Sequence, residues 1–264
     1  MFRRLFALHS ARPLATAVAA LAVVLAACNA TPPAAPALTD PKEILTKAVV
    51  SIKDVKSVEF TGSFTGSVTA PQLGAIDLST VKMTGAFDMS SKKAKFALDA
   101  PSFLGTKIDA LLIDQTAYYK VGGPFAISLH ASADKYTKVA LPSGSSDPVS
   151  QITDVTKLSA DTQAQLDKLP APPVKQADEK CGNVDCYHVT IKVTADQIKK
   201  LDATSTLDGD LSFDVWTRKS DYRPAKIALS AVTSQMGTFG VSLDLNYDVA
   251  VSVDAPPADQ VVTP

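Results

Sequence analysis

The residues with most chemical potential lie in KCGNVDCYHV, where Cys181, Cys186 and His188 stand close together. Two thiols and an imidazole suggest a metal or a redox site. Zinc needs a fourth ligand, and the other histidine beyond the amino-terminal leader, His130, is far away in sequence. The C-x4-C spacing is not the C-x-x-C of thiol redox catalysts. In an exported chain a thiol pair oxidises, and GNVD supplies turn residues between the two cysteines. A structural Cys181–Cys186 disulfide is therefore expected, worth on the order of 2 kcal/mol in the chain-entropy model. Asp208, Asp210 and Asp214 raise calcium, but LDGDLSFD lacks the remaining ligands of an EF-hand loop and reads as a solvated turn and strand face. No metal and no cofactor is expected. G-x-S-x-G, H-E-x-x-H and a phosphate-binding glycine loop are absent from the sequence, and nothing local supports a Ser-His-Asp site. The expectation is a protein that is not an enzyme.

The third cysteine has a different context. MFRRLFALHSARP carries Arg3, Arg4 and Arg12 without an acid, and LATAVAALAVVLAA then runs apolar up to Cys28. A basic stretch before about 7–15 apolar residues is a secretory signal, too short for a membrane span, although an anchor helix is the alternative. Leu25-Ala26-Ala27-Cys28 resembles the bacterial lipobox, in which the cysteine takes a diacylglycerol and the leader is removed before it. Residues 1–27 are then a lipoprotein signal peptide. Residues 28–39, NATPPAAPAL among them, form an uncharged Pro/Ala tether of roughly 30 Å at polyproline reach. The expected location is extracytoplasmic, anchored to a bacterial cell membrane through acylated Cys28. The formal charge is −1, and loss of Arg3, Arg4 and Arg12 makes it more acidic, so no nucleic-acid partner is expected.

The elements come next. TDPKEILTKAVVSIKDV reads as an amphipathic helix, with Asp40 as N-cap, Pro41 at N1 and Glu43 at N3; Ile44, Ala48, Ile52 and Val55 share one face. SVEFTGSFTGSVT, VKMTGAFDM, KAKFALDA, KIDALLID and QTAYYKV alternate as strands, with Gly62, Gly66 and Gly85 in the apolar rows. DPVSQITDVTKL and SADTQAQLDKL read as short helices, and LPAPPVKQADEK as a proline-rich crossing. CYHVTIKV, DLSFDVWTR and KIALSAVTS are strands again, and Thr194 with Gln197 forms a second capping box. FGVSLDLNYDVAVSV, Phe239 to Val253, carries the longest apolar alternation. Residues 256–264 form a tail that cannot continue a central strand past Pro256 and Pro257. The fold class expected is α+β, one domain over 40–255. It is a strongly curved antiparallel sheet with helices on its concave side; two separately packed halves are the alternative.

Lipobox, tether, first helix and antiparallel sheet up to a VWTRKSDYRPAKIAL hairpin together resemble the LppX/LprG-type bacterial lipoproteins, which are similar to carriers of the LolA/LolB type. The resemblance implies a half-open β-barrel closed by helices around a hydrophobic cavity. It further implies a lipid or glycolipid ligand, carried or presented in the cell envelope, with an envelope transporter or acceptor protein as a further partner. Aromatics are only 6% of the chain, and small residues along the inward rows would leave such a cavity. Parity nominates Val58, Phe60, Phe64, Val81, Met83, Phe87, Phe213, Val215, Leu243, Leu245 and Tyr247 as lining, and a one-residue slip would turn any row outward. The alternative is an envelope sensor or interaction lipoprotein with a packed core and a protein partner. A two-lobed solute-binding protein fits less well, because the chain lacks repeated βα alternation.

Overall fold

The computed structural model describes residues 37–70, 74–141, 164, 166–167, 171–201, 208–233 and 237–263. Helix α1 (Pro41–Ser51) starts where its caps dictate: the Asp40 side chain accepts the Lys42 N–H at 2.9 Å, and Pro41 occupies the first turn. It ends at Ser51, with Ile52 as C-cap, so the expected apolar stripe is cut short of Val55. Strands β1 (Ser57–Ala70), β2 (Gly74–Asp77), β3 (Lys82–Asp88), β4 (Lys93–Ala100), β5 (Thr106–Ile113) and β6 (Thr116–Gly122) follow. A single helical turn, α2 (Phe125–Ser128), precedes β7 (Tyr136–Ala140).

In the second half β8 (Val174–Lys175), β9 (Glu179–Cys181) and β10 (Val184–Val193) lead to helix α3 (Ala195–Leu201). The capping box at α3 is reciprocal: Thr194 N–H donates to Gln197 Oε1 at 2.8 Å, and Gln197 N–H donates to Thr194 Oγ1 at 3.3 Å. Strands β11 (Asp210–Arg218), β12 (Pro224–Thr233) and β13 (Gly237–Tyr247) come next, and β14 (Val261–Val262) lies close to the end. The helices expected between residues 147 and 169 fall almost wholly outside the described residues; Leu166, which is described, is buried against α1.

Most strands join one sheet in the order β14-β7-β6-β5-β4-β3-β1-β13-β12-β11-β10-β8. Pairing is antiparallel except where β14 adds to β7 in parallel, so the residues after Pro257 return to a sheet edge. The sheet is curved and open. The β1–β13 ladder, Val58 opposite Tyr247 through Gly66 opposite Phe239, ties the two halves of the chain together.

Two glycines in the apolar rows have geometric reasons. A Cβ on Gly85 would come within 2.3 Å of the Phe60 ring, which lies across that backbone. Gly66 has φ +84°, and a Cβ there would meet the Thr238 carbonyl; past it β1 exchanges β13 for β2. The alternation expected as far as Val253 stops as a strand at Tyr247. Asp248 is left-handed (φ 56°), its N–H donates to the Ser57 carbonyl and its carboxylate accepts the Lys56 N–H. Strand β1 begins at Ser57, so nothing remains there for a longer β13 to pair with.

Candidate functional site

Cross-strand partners share a face, and the register therefore decides which side each apolar row occupies. Val58, Phe60, Gly62 and Phe64 lie opposite Tyr247, Leu245, Leu243 and Val241 on one side. On the other, Val58, Phe60 and Gly62 face Phe87, Gly85 and Met83. The row continues through Leu98 to Ile108 and Val121. In the other direction it passes from Leu243 through Ile227 and Val215 to Val189. Val81 lies two residues before Met83 and falls on the same side. All eleven nominated residues thus lie on one face of the sheet. The opposite face carries Glu59, Thr61, Lys82, Lys95 and Asp244, with ion pairs such as Lys120–Asp109 at 3.3 Å.

The apolar face has two differently covered regions. Over β10 and β11, helix α1 seats Ile44 and Leu45 against Tyr187, Val189, Ile191 and Val215, a closed core joined by Leu166. Val215 therefore belongs to this core, while Phe213 on the same strand is partly exposed. Farther along, a cavity of about 550 Å³ opens on the same face. It is bounded by Phe64 and Val68 of β1, Val81 just before β3, Leu98 and Ala100 of β4, and Ile108 of β5. Phe239 and Val241 of β13 close one wall, and Leu78, Phe103, Phe125 and Leu129 come from loops and α2. Among the described residues, none in the lining is ionisable. The one polar side chain among the described lining residues, Thr106, donates its hydroxyl to the Phe103 carbonyl at 2.5 Å, so its hydrogen is already committed.

Of the nominated residues, Phe64 and Val81 line this cavity. Val58, Phe60, Met83, Phe87, Leu243, Leu245 and Tyr247 share its face without lining it. Burial pushes the Tyr247 phenol well above its ordinary pKa, against the opposing pull of Arg218 and Arg223 about its ring. Leu98, Ile108, Phe239 and Val241 were available from strand parity. Phe103, Phe125 and Leu129 sit outside the strands, and no periodicity marks them.

The cysteine pair sits elsewhere. Cys181 and Cys186 are bonded across the β9–β10 turn, their Cα atoms 6.1 Å apart, with Gly182 left-handed at φ 61°. His188 lies on the polar face: Nδ1 is 2.9 Å from Glu179 and Nε2 is 2.9 Å from Asp214, and its ring stacks on Trp216. Desolvation raises the Asp214 pKa, but hydrogen bonds from Thr190, His188 and Ser212 outweigh it and hold the carboxyl below its ordinary value. Asp210 instead accepts the Ala195 N–H at 3.0 Å. Among the described residues no group of three or more His, Cys, Asp or Glu side chains is placed to hold a metal. No helix among them is long and apolar enough to cross a membrane. Cys28 lies outside the described residues.

No protein-family model matches the sequence, and no curated protein does. Among solved structures, LprF from Mycobacterium bovis aligns with a TM-score of 0.52 at 16% identity, over 82% of this chain and 96% of that one. The lipoprotein LppX from Mycobacterium tuberculosis aligns at 0.48 and 14% identity, over 81% of this chain and 98% of that one. The open curved antiparallel sheet of this chain has the fold of LprF, the architecture that the LppX/LprG-type resemblance of its sequence implies.

Proposed function

We propose that this protein binds the acyl chains of a lipid or glycolipid in the cavity over β1, β4 and β13, and carries or presents that lipid in a bacterial cell envelope. Cys28, acylated after removal of residues 1–27, holds it at the membrane surface. One observation carries the reading: a cavity of about 550 Å³ whose wall, among the described residues, has no ionisable group and a single polar side chain already hydrogen-bonded. That size falls in the usual range for small-molecule sites, roughly 300–1,000 Å³. An acyl chain in water forfeits about 0.8 kcal/mol per CH2, on the order of 10 kcal/mol for a long chain. Lipid therefore leaves a bilayer slowly unless a protein supplies an equally apolar slot, and the apolar wall supports that role. The same cavity weighs against the alternative of an interaction protein with a packed core. An envelope transporter or acceptor protein would take the cargo on.

The test is mass spectrometry of lipid extracted from the chain beginning at Ala30, produced in a lipid-rich bacterial host so that no acyl anchor of its own contaminates the extract. One lipid class recovered stoichiometrically is the expected result. Recovery of nothing, with no uptake of a fluorescent fatty-acyl probe, would transfer the assignment to the interaction protein.

A further inference from the structure

Large apolar side chains crowd around the mouth of the cavity. Ile127 is 84% exposed and Leu104 is 58% exposed, and Phe125 and Leu129 are exposed on one side while lining the cavity on the other. Gly123 brings the two loops together: its φ is +83°, and a Cβ there would lie 3.1 Å from the Thr106 backbone. Both loops are held by their own hydrogen bonds. Gly105 N–H donates to the Pro101 carbonyl, Leu129 N–H to that of Phe125, and Ala131 N–H to that of Ala126. These bonds form turns that display the side chains.

Charge separates this lip from the rest of the surface. Residues 100–106 (APSFLGT) and 122–133 (GGPFAISLHASA) contain no Asp, Glu, Lys or Arg, in a chain that is 20% charged. Charge returns only at its edge, where exposed Lys107 pairs with Asp99 at 3.6 Å, as suits groups left at headgroup level. An uncharged lip with protruding Ile and Leu side chains suits the boundary between lipid headgroups and acyl chains, because nothing charged is desolvated on entry. The tether adds reach: Leu38, whose N–H donates to the Tyr187 hydroxyl at 3.2 Å, is separated from Cys28 by residues that span roughly 30 Å at polyproline extension.

We infer that Leu104 and the Phe125–Leu129 segment form a bilayer-docking lip, sunk into the outer part of the membrane so that an acyl chain passes into the cavity without crossing water. The inference rests on the lipid-binding reading of the cavity, but its docking half is measurable separately. The full acylated protein is reconstituted in phosphatidylethanolamine/phosphatidylglycerol vesicles with Ile127→Cys as the only free thiol, labelled with an environment-sensitive fluorophore. Lys192→Cys, on the polar face of β10, is the reference. Phospholipids brominated in their acyl chains should quench the label at 127 and leave that at 192 unaffected. Ile127→Asp should slow transfer of a fluorescent fatty-acyl lipid out of donor vesicles about tenfold and leave the final occupancy of the cavity unchanged, since Ile127 does not line it.

A label at 127 that stays unquenched overturns the lip, as does an unchanged transfer rate in Ile127→Asp. Quenching at 127 with an empty cavity upholds docking and removes the lipid-binding reading. Uptake with an unquenched label does the reverse. A dimer in detergent that Ile127→Asp dissociates would assign the patch to a second copy of the chain and overturn the bilayer.

Discussion

One apolar face is used in two ways. Over β10 and β11 its Val189 and Val215 are sealed by Ile44 and Leu45 of α1, and Ile44 and Val189 are wholly buried. Over β1, β4 and β13 the same alternation leaves Phe64, Leu98 and Val241 half-buried around open space. The residue types barely differ. Cover differs, and cover decides whether an apolar row contributes to stability or is kept available for a ligand. A core residue removed leaves a new void in close-packed surroundings; a cavity wall already faces one.

Substitutions can break that comparison. Ile44→Ala should cost most, about 2–5 kcal/mol as expected for a large-to-small change in a sealed core, read from chemical denaturation. A cost near zero would mean that α1 seals nothing. Removing the disulfide with Cys181→Ala and Cys186→Ala together should cost about 2 kcal/mol and leave lipid uptake intact, since the β9–β10 turn is remote from the cavity; lost uptake would contradict the separation of the two regions. Val241→Trp, filling the cavity, should lower equilibrium uptake of a fatty-acyl probe at least about tenfold, or 1.4 kcal/mol, with little change in melting temperature. Undiminished uptake would place the lipid elsewhere. Leu98→Ala, at the same wall, should cost less than about 1 kcal/mol, well below the Ile44 value; equal costs would make the cavity end an ordinary core.

The smallest effect lies on the polar face and follows pH. The folded-state pKa of Asp214 is lowered, so its stabilising contribution is complete above the unfolded carboxylate value, about 3.9, and disappears as pH falls through the lower folded value. Melting of Asp214→Asn against the unsubstituted protein should differ near neutrality, begin to converge as pH falls below about 3.9, and coincide only below the lower folded value. A gap that persisted in acid would assign the effect to packing rather than charge.

Much of this architecture can be read from the chain. Alternation in SVEFTGSFTGSVT and VKMTGAFDM marks β1 and β3, because a half-buried strand must alternate. Asp40-Pro41 and Thr194 with Gln197 mark helix starts, because free N–H groups there need acceptors. GNVD between Cys181 and Cys186 fits a closed turn. The end of β13 was not legible: Val249, Val251 and Val253 maintain the pattern, yet a strand lasts only as long as its neighbour, and β1 begins at Ser57. Short edge strands such as β14 carry too few residues for a period to register.

Local rules therefore determined the apolar and polar sides of each strand, the helix starts and the pairing of neighbouring cysteines, since all of these depend on residues close in sequence. Tertiary structure alone decided which part of the apolar face α1 would seal, and that Phe103, Phe125 and Leu129 would meet Phe64 and Val241 around a cavity. Val241 reaches that wall from more than a hundred residues farther along the chain than the other four. Their geometry follows from the curvature and register of the whole sheet, quantities no single segment contains.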